Sequence, residues 1–245
     1  MAKRLLILGG TGEARALAEA LAPRFKVTTS LAGRTAVPKS LPGTVRSGGF
    51  GGEAGFTAYL QAEKFDAVID ATHPFARVMP HTAKTICDAL DLPRLRLLRP
   101  GWQPQPGDDR TYVSDLAEAA LLLPLLCQRA LITSGREGLT ALANLPTVHL
   151  VIRLMAPLAD PPPFQSAEIL IAAPPFEAVA ERALMIDRQI GALVTKDSGG
   201  KAMAGKITAA RDLRLPVILL KRPPAPDGPQ AETVDATVQW VETHI

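Results

Sequence analysis

The first stretch with the makings of a binding site is ILGGTGEARALA. Here Gly9, Gly10, Thr11 and Gly12 end an apolar run and Glu13 opens an amphipathic one. Backbone amides bared by glycine, at the positive end of a helix dipole, form a receptor for phosphate. The spacing departs from G-x-G-x-x-G, since counting from Gly10 the third small position falls on Arg15. The kind of dinucleotide is decided roughly twenty residues further on, where an acid would bind a ribose 2′-hydroxyl. That place reads SLAGRT instead, and Ser30, Arg34 and Thr35 offer a cation and hydroxyls that suit the 2′-phosphate of NADPH. SGGFGGEAGF adds Gly48, Gly49, Gly51 and Gly52, where backbone can approach a flat ligand. DATHPFA follows another apolar run and brings Thr72 and His73 to the end of a strand, where open α/β sheets bind ligands. Capping of the next helix by Thr72 or His73, with Pro74 in its first turn, is the competing use.

A second group of loops carries cations. TSGRE sets Thr133, Ser134, Gly135 and Arg136 between a strand and an expected helix, a place for a carboxylate. TKDSGGKAMAGK repeats the arrangement with Lys196, Asp197, Ser198, Gly199 and Gly200, followed by Lys201 and Lys206. Ser, Asp and Gly are also ordinary turn residues, so each loop alone has a conformational reading. Arg99, Trp102 and Arg222 stand just past strands, the arginines suited to carboxylates and the indole to stacking. His73, Lys196 and Asp197 are the side chains able to move a proton, and the sequence does not rank them.

These loops need a scaffold that brings strand ends together. Short apolar runs at residues 4–8, 25–30, 44–46, 67–71 and 95–98 alternate with helical patterns at 13–21, 54–62 and 78–90, the pattern of a parallel sheet with crossover helices. Residues 99–109 hold three prolines and two glycines and break the periodicity. A second series comes after them. Strands are expected at 129–133, 147–154, 168–171, 192–195 and 216–220, and helices at 114–123, 139–143, 176–186, 202–213 and 233–244. The expected fold is α/β, two Rossmann-like parallel-sheet domains with a cleft between them: residues 1–103 for NADPH and residues 104–245 for substrate.

Composition removes several classes. With 245 residues, 47% apolar and 21% charged, the chain can bury a sizeable core and is not disordered. A formal charge of +3 is too small for binding driven by phosphate neutralisation, so no nucleic-acid partner is expected. Cys87 and Cys127 lack metal-ligand spacing and read as reduced thiols, and no metal is expected. No apolar run reaches the roughly twenty residues of a membrane helix. No secretory signal opens the chain, so no membrane partner and a cytoplasmic location are expected. The oligomeric state stays open between monomer and homodimer.

Taken in order, GGTGEA, SLAGRT, GGFGG, DATHPFA, TSGRE and TKDSGG, with LLRPGW and KRPP, resemble the precorrin-6A reductase family of cobalamin biosynthesis, including its cobalt-precorrin branch. The resemblance covers nearly the whole chain. It implies an oxidoreductase acting on CH–CH groups, which passes a hydride from NADPH to C19 of precorrin-6A, with a proton added nearby, to give precorrin-6B. It implies a polycarboxylate tetrapyrrole partner for the cations of the second half. A non-catalytic NADPH sensor and a nucleotide-sugar transferase share the expected fold, but neither accounts for six motifs in this order.

Overall fold

The computed structural model describes residues 2–33 and 40–245. Arg34 and Thr35 lie outside the described residues. In chain order the elements are β1 (Arg4–Leu8), α1 (Gly12–Leu21), β2 (Lys26–Leu31), β3 (Thr44–Ser47), α2 (Gly52–Glu63), β4 (Ala67–Asp70), α3 (Met79–Ala89) and β5 (Arg94–Leu97). Then come β6 (Arg110–Val113), α4 (Leu116–Leu126), β7 (Arg129–Ile132), β8 (His149–Leu154), β9 (Ala167–Ile171), α5 (Ala178–Asp187) and β10 (Ala192–Lys196). The chain closes with α6 (Gly205–Asp212), β11 (Val217–Leu220), β12 (Gln230–Ala231) and α7 (Val234–His244). Leu139–Leu142 and Lys201–Met203 are short 3₁₀ turns.

Two six-stranded sheets form, in the orders β12-β5-β4-β1-β2-β3 and β6-β11-β10-β7-β8-β9. Every pairing is parallel. The outer strands β6 and β12 were not expected. Each lies in the sheet that the five preceding strands did not build: β6 comes after β5 but joins β11, and β12 comes after β11 but joins β5. The division expected at residue 103 is therefore corrected. The described residues of Met1–Arg99 group with Pro223–Ile245, and Pro100–Arg222 form the other unit. The physical reason is that β12 pairs with β5 and α7 packs on α1, so the chain end belongs with the first core.

Strand alternation explains the layers of the first unit. Leu5, Ile7, Ile69 and Leu95 meet Leu17 and Leu21 of α1 and Val241 of α7. Leu6, Leu8 and Val68 meet Phe56 and Leu60 of α2 and Ile86 and Cys87 of α3. Burial pushes the Cys87 thiol up to about 12, which keeps it protonated and inert. In the second unit Leu131, Val151, Leu193 and Leu219 pack against Met185 of α5 and Ile207 and Ala210 of α6. Among the described residues no helix is long and apolar enough to cross a membrane.

Candidate functional site

Register sets the first strand ends side by side: Leu8 pairs with Ser30 and with Asp70, Ser30 with Arg46, and Asp70 with Arg96. The glycine turn leaves β1 at this carboxyl edge. Gly9 is not an open donor, because its amide gives to the Ser30 carbonyl at 2.8 Å and a Cβ there would stand 2.9 Å from Thr29. Gly10, at φ +109°, takes a backbone conformation that favours glycine, and neither it nor Gly12 has an atom within 4 Å of where a Cβ would be. Thr11 caps α1, accepting from the Ala14 amide at 3.1 Å, and donates to the Ala71 carbonyl at 2.8 Å. The Gly10, Gly12 and Glu13 amides meet no acceptor among the described residues. Open amides over open space, at the start of a ten-residue helix, fit a phosphate of a dinucleotide. The Glu13 carboxylate is taken by Arg99, 2.7 Å away, so one residue expected on the cofactor and one expected on the substrate form a pair.

Ser30 is buried, and its hydroxyl receives Arg46 Nη1 at 2.7 Å; Arg46 Nη2 reaches the Gly49 carbonyl at 2.9 Å. The Arg46 guanidinium lies 3.9 Å from the Phe50 ring centre. Arg46 went unnoticed in the sequence, although its place at the end of a strand, two residues before GGFGG, was the available signal.

At the end of β4 the fully buried Asp70 holds Thr72 twice, through its amide at 3.1 Å and its hydroxyl at 2.6 Å. Arg96, also buried, lies 3.8 Å away, and burial lowers its guanidinium from the ordinary value while Asp70 opposes the shift. The Thr72 proton is thus committed, which leaves its oxygen to accept from a ligand. His73 is exposed, and its Nδ1 accepts the Phe75 amide at 3.2 Å, which places the proton of the neutral ring on Nε2. The capping use fails here: α3 begins only at Met79, with Val78 as an N-cap that makes no side-chain bond.

In the second unit the loops after β7, β10 and β11 carry the expected cations. Lys196 Nζ lies 3.6 Å from the exposed carboxylate of Glu137, and Arg136 is exposed. The helix expected after TSGRE is a four-residue 3₁₀ turn instead. Gly135 and Gly138 both turn into positive φ, so no run of helical amides faces this loop. Asp197 is an acceptor in a tight loop contact, with Oδ1 on the Trp102 amide at 3.1 Å and its carbonyl on Arg222 Nε at 2.7 Å. The buried Ser198 donates its amide to the Lys196 carbonyl. Gly199, at φ +63°, passes so close to Pro100 that a Cβ would stand 2.1 Å from its carbonyl oxygen. The Gly200 carbonyl accepts Trp102 Nε1 at 3.3 Å.

Lys206 corrects an expectation. Expected among the cations that meet substrate, it is only 1% exposed, because α6 presents it on the same face as Ala209 and Ala210. Its Nζ donates to Thr133 Oγ1 at 3.1 Å and lies 5.6 Å from the Trp102 ring centre. Beside it Arg153 and Glu181, both buried, form a two-pronged pair in which Nη2 meets Oε2 at 2.9 Å, and Arg153 stacks on Phe176. Ser134 is buried too, and its hydroxyl has no partner among the described residues.

Two doubly wound parallel sheets with ligand-receptive loops at their carboxyl ends define a Rossmann-like α/β protein. The family model described as precorrin-6x reductase CbiJ/CobK matches residues 4–242. The precorrin-6A reductase of Rhodococcus erythropolis is 44% identical, over 98% of each chain. The cobalt-precorrin-6A reductase of Salmonella typhimurium is 28% identical, over 89% of this chain and 87% of its own. The solved structure of a CobK precorrin-6A reductase superposes with a TM-score of 0.92 at 39% identity, covering 99% of this chain and 97% of that one. This chain belongs to the precorrin-6x reductase family, oxidoreductases of cobalamin biosynthesis.

Proposed function

We propose that this chain is a cytoplasmic, NADPH-dependent reductase that converts precorrin-6A to precorrin-6B by hydride addition at C19. The observation that carries the reading is the carboxyl edge of the first sheet, with the open Gly10, Gly12 and Glu13 amides at the mouth of α1. When bound, NADPH supplies the hydride. The chain's own part is to hold the diphosphate on those amides, to offer the Thr72 oxygen as an acceptor, and to bind the 2′-phosphate through Ser30, Arg34 and Thr35. Ser134, Gly135, Arg136, Lys196 and the 198–200 loop take ring carboxylates, with Thr133 opening the first of these loops and Arg222 bracing the 197–199 turn. Of the side chains able to move a proton, His73 lies at the first edge and Lys196 at the second, where it faces Glu137, and Asp197 serves the loop as an acceptor. The greater identity to the metal-free relative than to the cobalt one favours a metal-free ring.

The test is incubation of the purified protein with NADPH and precorrin-6A while the ring absorption is monitored. A change that requires both supports the reading, and an unchanged spectrum counts against it. Arg34→Ala is expected to raise the KM for NADPH while leaving NADH use nearly unaltered; equal loss with both contradicts the 2′-phosphate role.

A further inference from the structure

Beneath the TSGRE loop lies a buried lysine in contact with a hydroxyl, and the reduction as proposed consumes a proton whose source the exposed loops do not identify. We propose that Thr133 hands that proton to the ring and that Lys206 reloads the Thr133 hydroxyl. The inference rests on the reading that the second unit holds the tetrapyrrole.

The geometry selects this pair. Asp197 has its carboxylate on the Trp102 amide, which uses it as an acceptor. Lys196 faces the exposed Glu137 at 3.6 Å. Lys206 is held away from water and gives an N–H to Thr133 Oγ1 at 3.1 Å, while that hydroxyl donates to the Val194 carbonyl over a long 3.3 Å, a weak bond that it exchanges for the ring carbon. Thr133, half-buried at the end of β7, opens the loop. The charged groups beside Lys206 are Arg153 from β8 and Glu181 from α5, which satisfy each other through a two-pronged pair. Burial pushes the Lys206 ammonium down from 10.5 to about 7; Arg153 pushes the same way and Glu181 opposes. An ammonium poised near neutrality can release and regain a proton in each turnover.

Hydride brings two electrons and one hydrogen to one carbon of a carbon–carbon double bond, and the π bond is lost. The other carbon takes the Thr133 hydroxyl proton while one ammonium proton of Lys206 moves to Thr133 Oγ1. Lys206 is left as the amine, and a solvent proton restores it after product leaves, so each turnover consumes one NADPH and one proton.

Two measurements test the pair. In cofactor-free protein with lysine labelled at 13Cε, one lysine resonance, absent in Lys206→Met, is expected to titrate near pH 7; titration of that resonance with the surface lysines overturns the proposal. In single-turnover NADPH oxidation with precorrin-6A, the wild-type rate is expected to fall about tenfold per pH unit above the Lys206 titration. Thr133→Val is expected to lose on the order of a hundredfold in rate with little change in precorrin-6A KM, and Thr133→Ser to restore it. A wild-type rate and pH profile in Thr133→Val refutes the relay while leaving the reductase reading intact. An inactive wild-type protein instead defeats the reductase reading, and the relay with it. If Lys206→Met does not fold, the Thr133 variants and the wild-type profile decide.

Discussion

The two sheets place their strands in matching order, β1 corresponding to β7, β4 to β10, β5 to β11, and β12 to β6, yet their carboxyl edges are made of different material. After β1 the chain enters a ten-residue helix capped by Thr11, and the polar groups left open there are backbone amides. After β7 it enters only a 3₁₀ turn, and the polar groups there are side chains: Arg136, Lys196 and the Thr133 hydroxyl backed by Lys206. An edge of amides with a helix dipole suits a diphosphate, whereas scattered cations suit carboxylates spread around a ring. One scaffold used twice differs in the segment that leaves its first strand, a capped helix in one unit and a 3₁₀ turn in the other, and under the proposed function that difference separates the two ligand chemistries. Buried charge differs too: the first edge has a loose Asp70–Arg96 contact at 3.8 Å, the second a close Arg153–Glu181 pair with Lys206 beside it.

That contrast can be broken most forcefully at Glu181. Glu181→Gln leaves Arg153 charged and buried against Phe176, and is expected to cost about 3–5 kcal/mol of stability, seen as a lower denaturation midpoint of the second unit. A midpoint near wild type would mean the pair is not confined as described. Next comes the pH dependence of stability. With the folded Lys206 near 7 and the unfolded side chain near 10.5, the unfolded chain binds the extra proton between those values. Unfolding free energy contributed by this group therefore rises with pH across that window by a few kcal/mol, and the rise is lost in Lys206→Met. An identical pH curve for both proteins would contradict a buried, depressed lysine.

Smaller effects belong to the first edge. Thr11→Ala removes the α1 cap and the tie to Ala71, and is expected to cost about 1 kcal/mol and to weaken NADPH binding, with Thr11→Ser restoring both. The smallest change is Lys84→Ala. It removes an exposed i,i+4 pair with Asp88 that solvent screens, and should leave the thermal melting midpoint nearly unchanged.

The repeating apolar runs made ten of the strands legible, and glycine, serine and threonine directly after those runs marked the loops. Strands β6 and β12 were hidden for a physical reason. Only Val113 of β6 is buried, and β12 has two residues, so neither carries a local signature; both exist because a distant strand offers an edge. The buried charges were hidden in another way. Lys206 follows Lys201 among cations expected to meet substrate, and its burial becomes visible only through its spacing to Ala209 and Ala210 on one helix face. Ser30 is legible in its loop motif, but its partner Arg46 lies on the neighbouring strand, and such a contact arises from register and not from composition.

The most direct test of the division between the edges is amide hydrogen exchange with and without saturating NADPH. Added protection is expected at residues 10–14 and 71–75, centred on the Gly10, Gly12 and Glu13 amides, with residues 133–136 and 196–200 unchanged until the tetrapyrrole is added. Protection by NADPH at 133–136 and 196–200, with the glycine turn exchanging as before, would contradict that division.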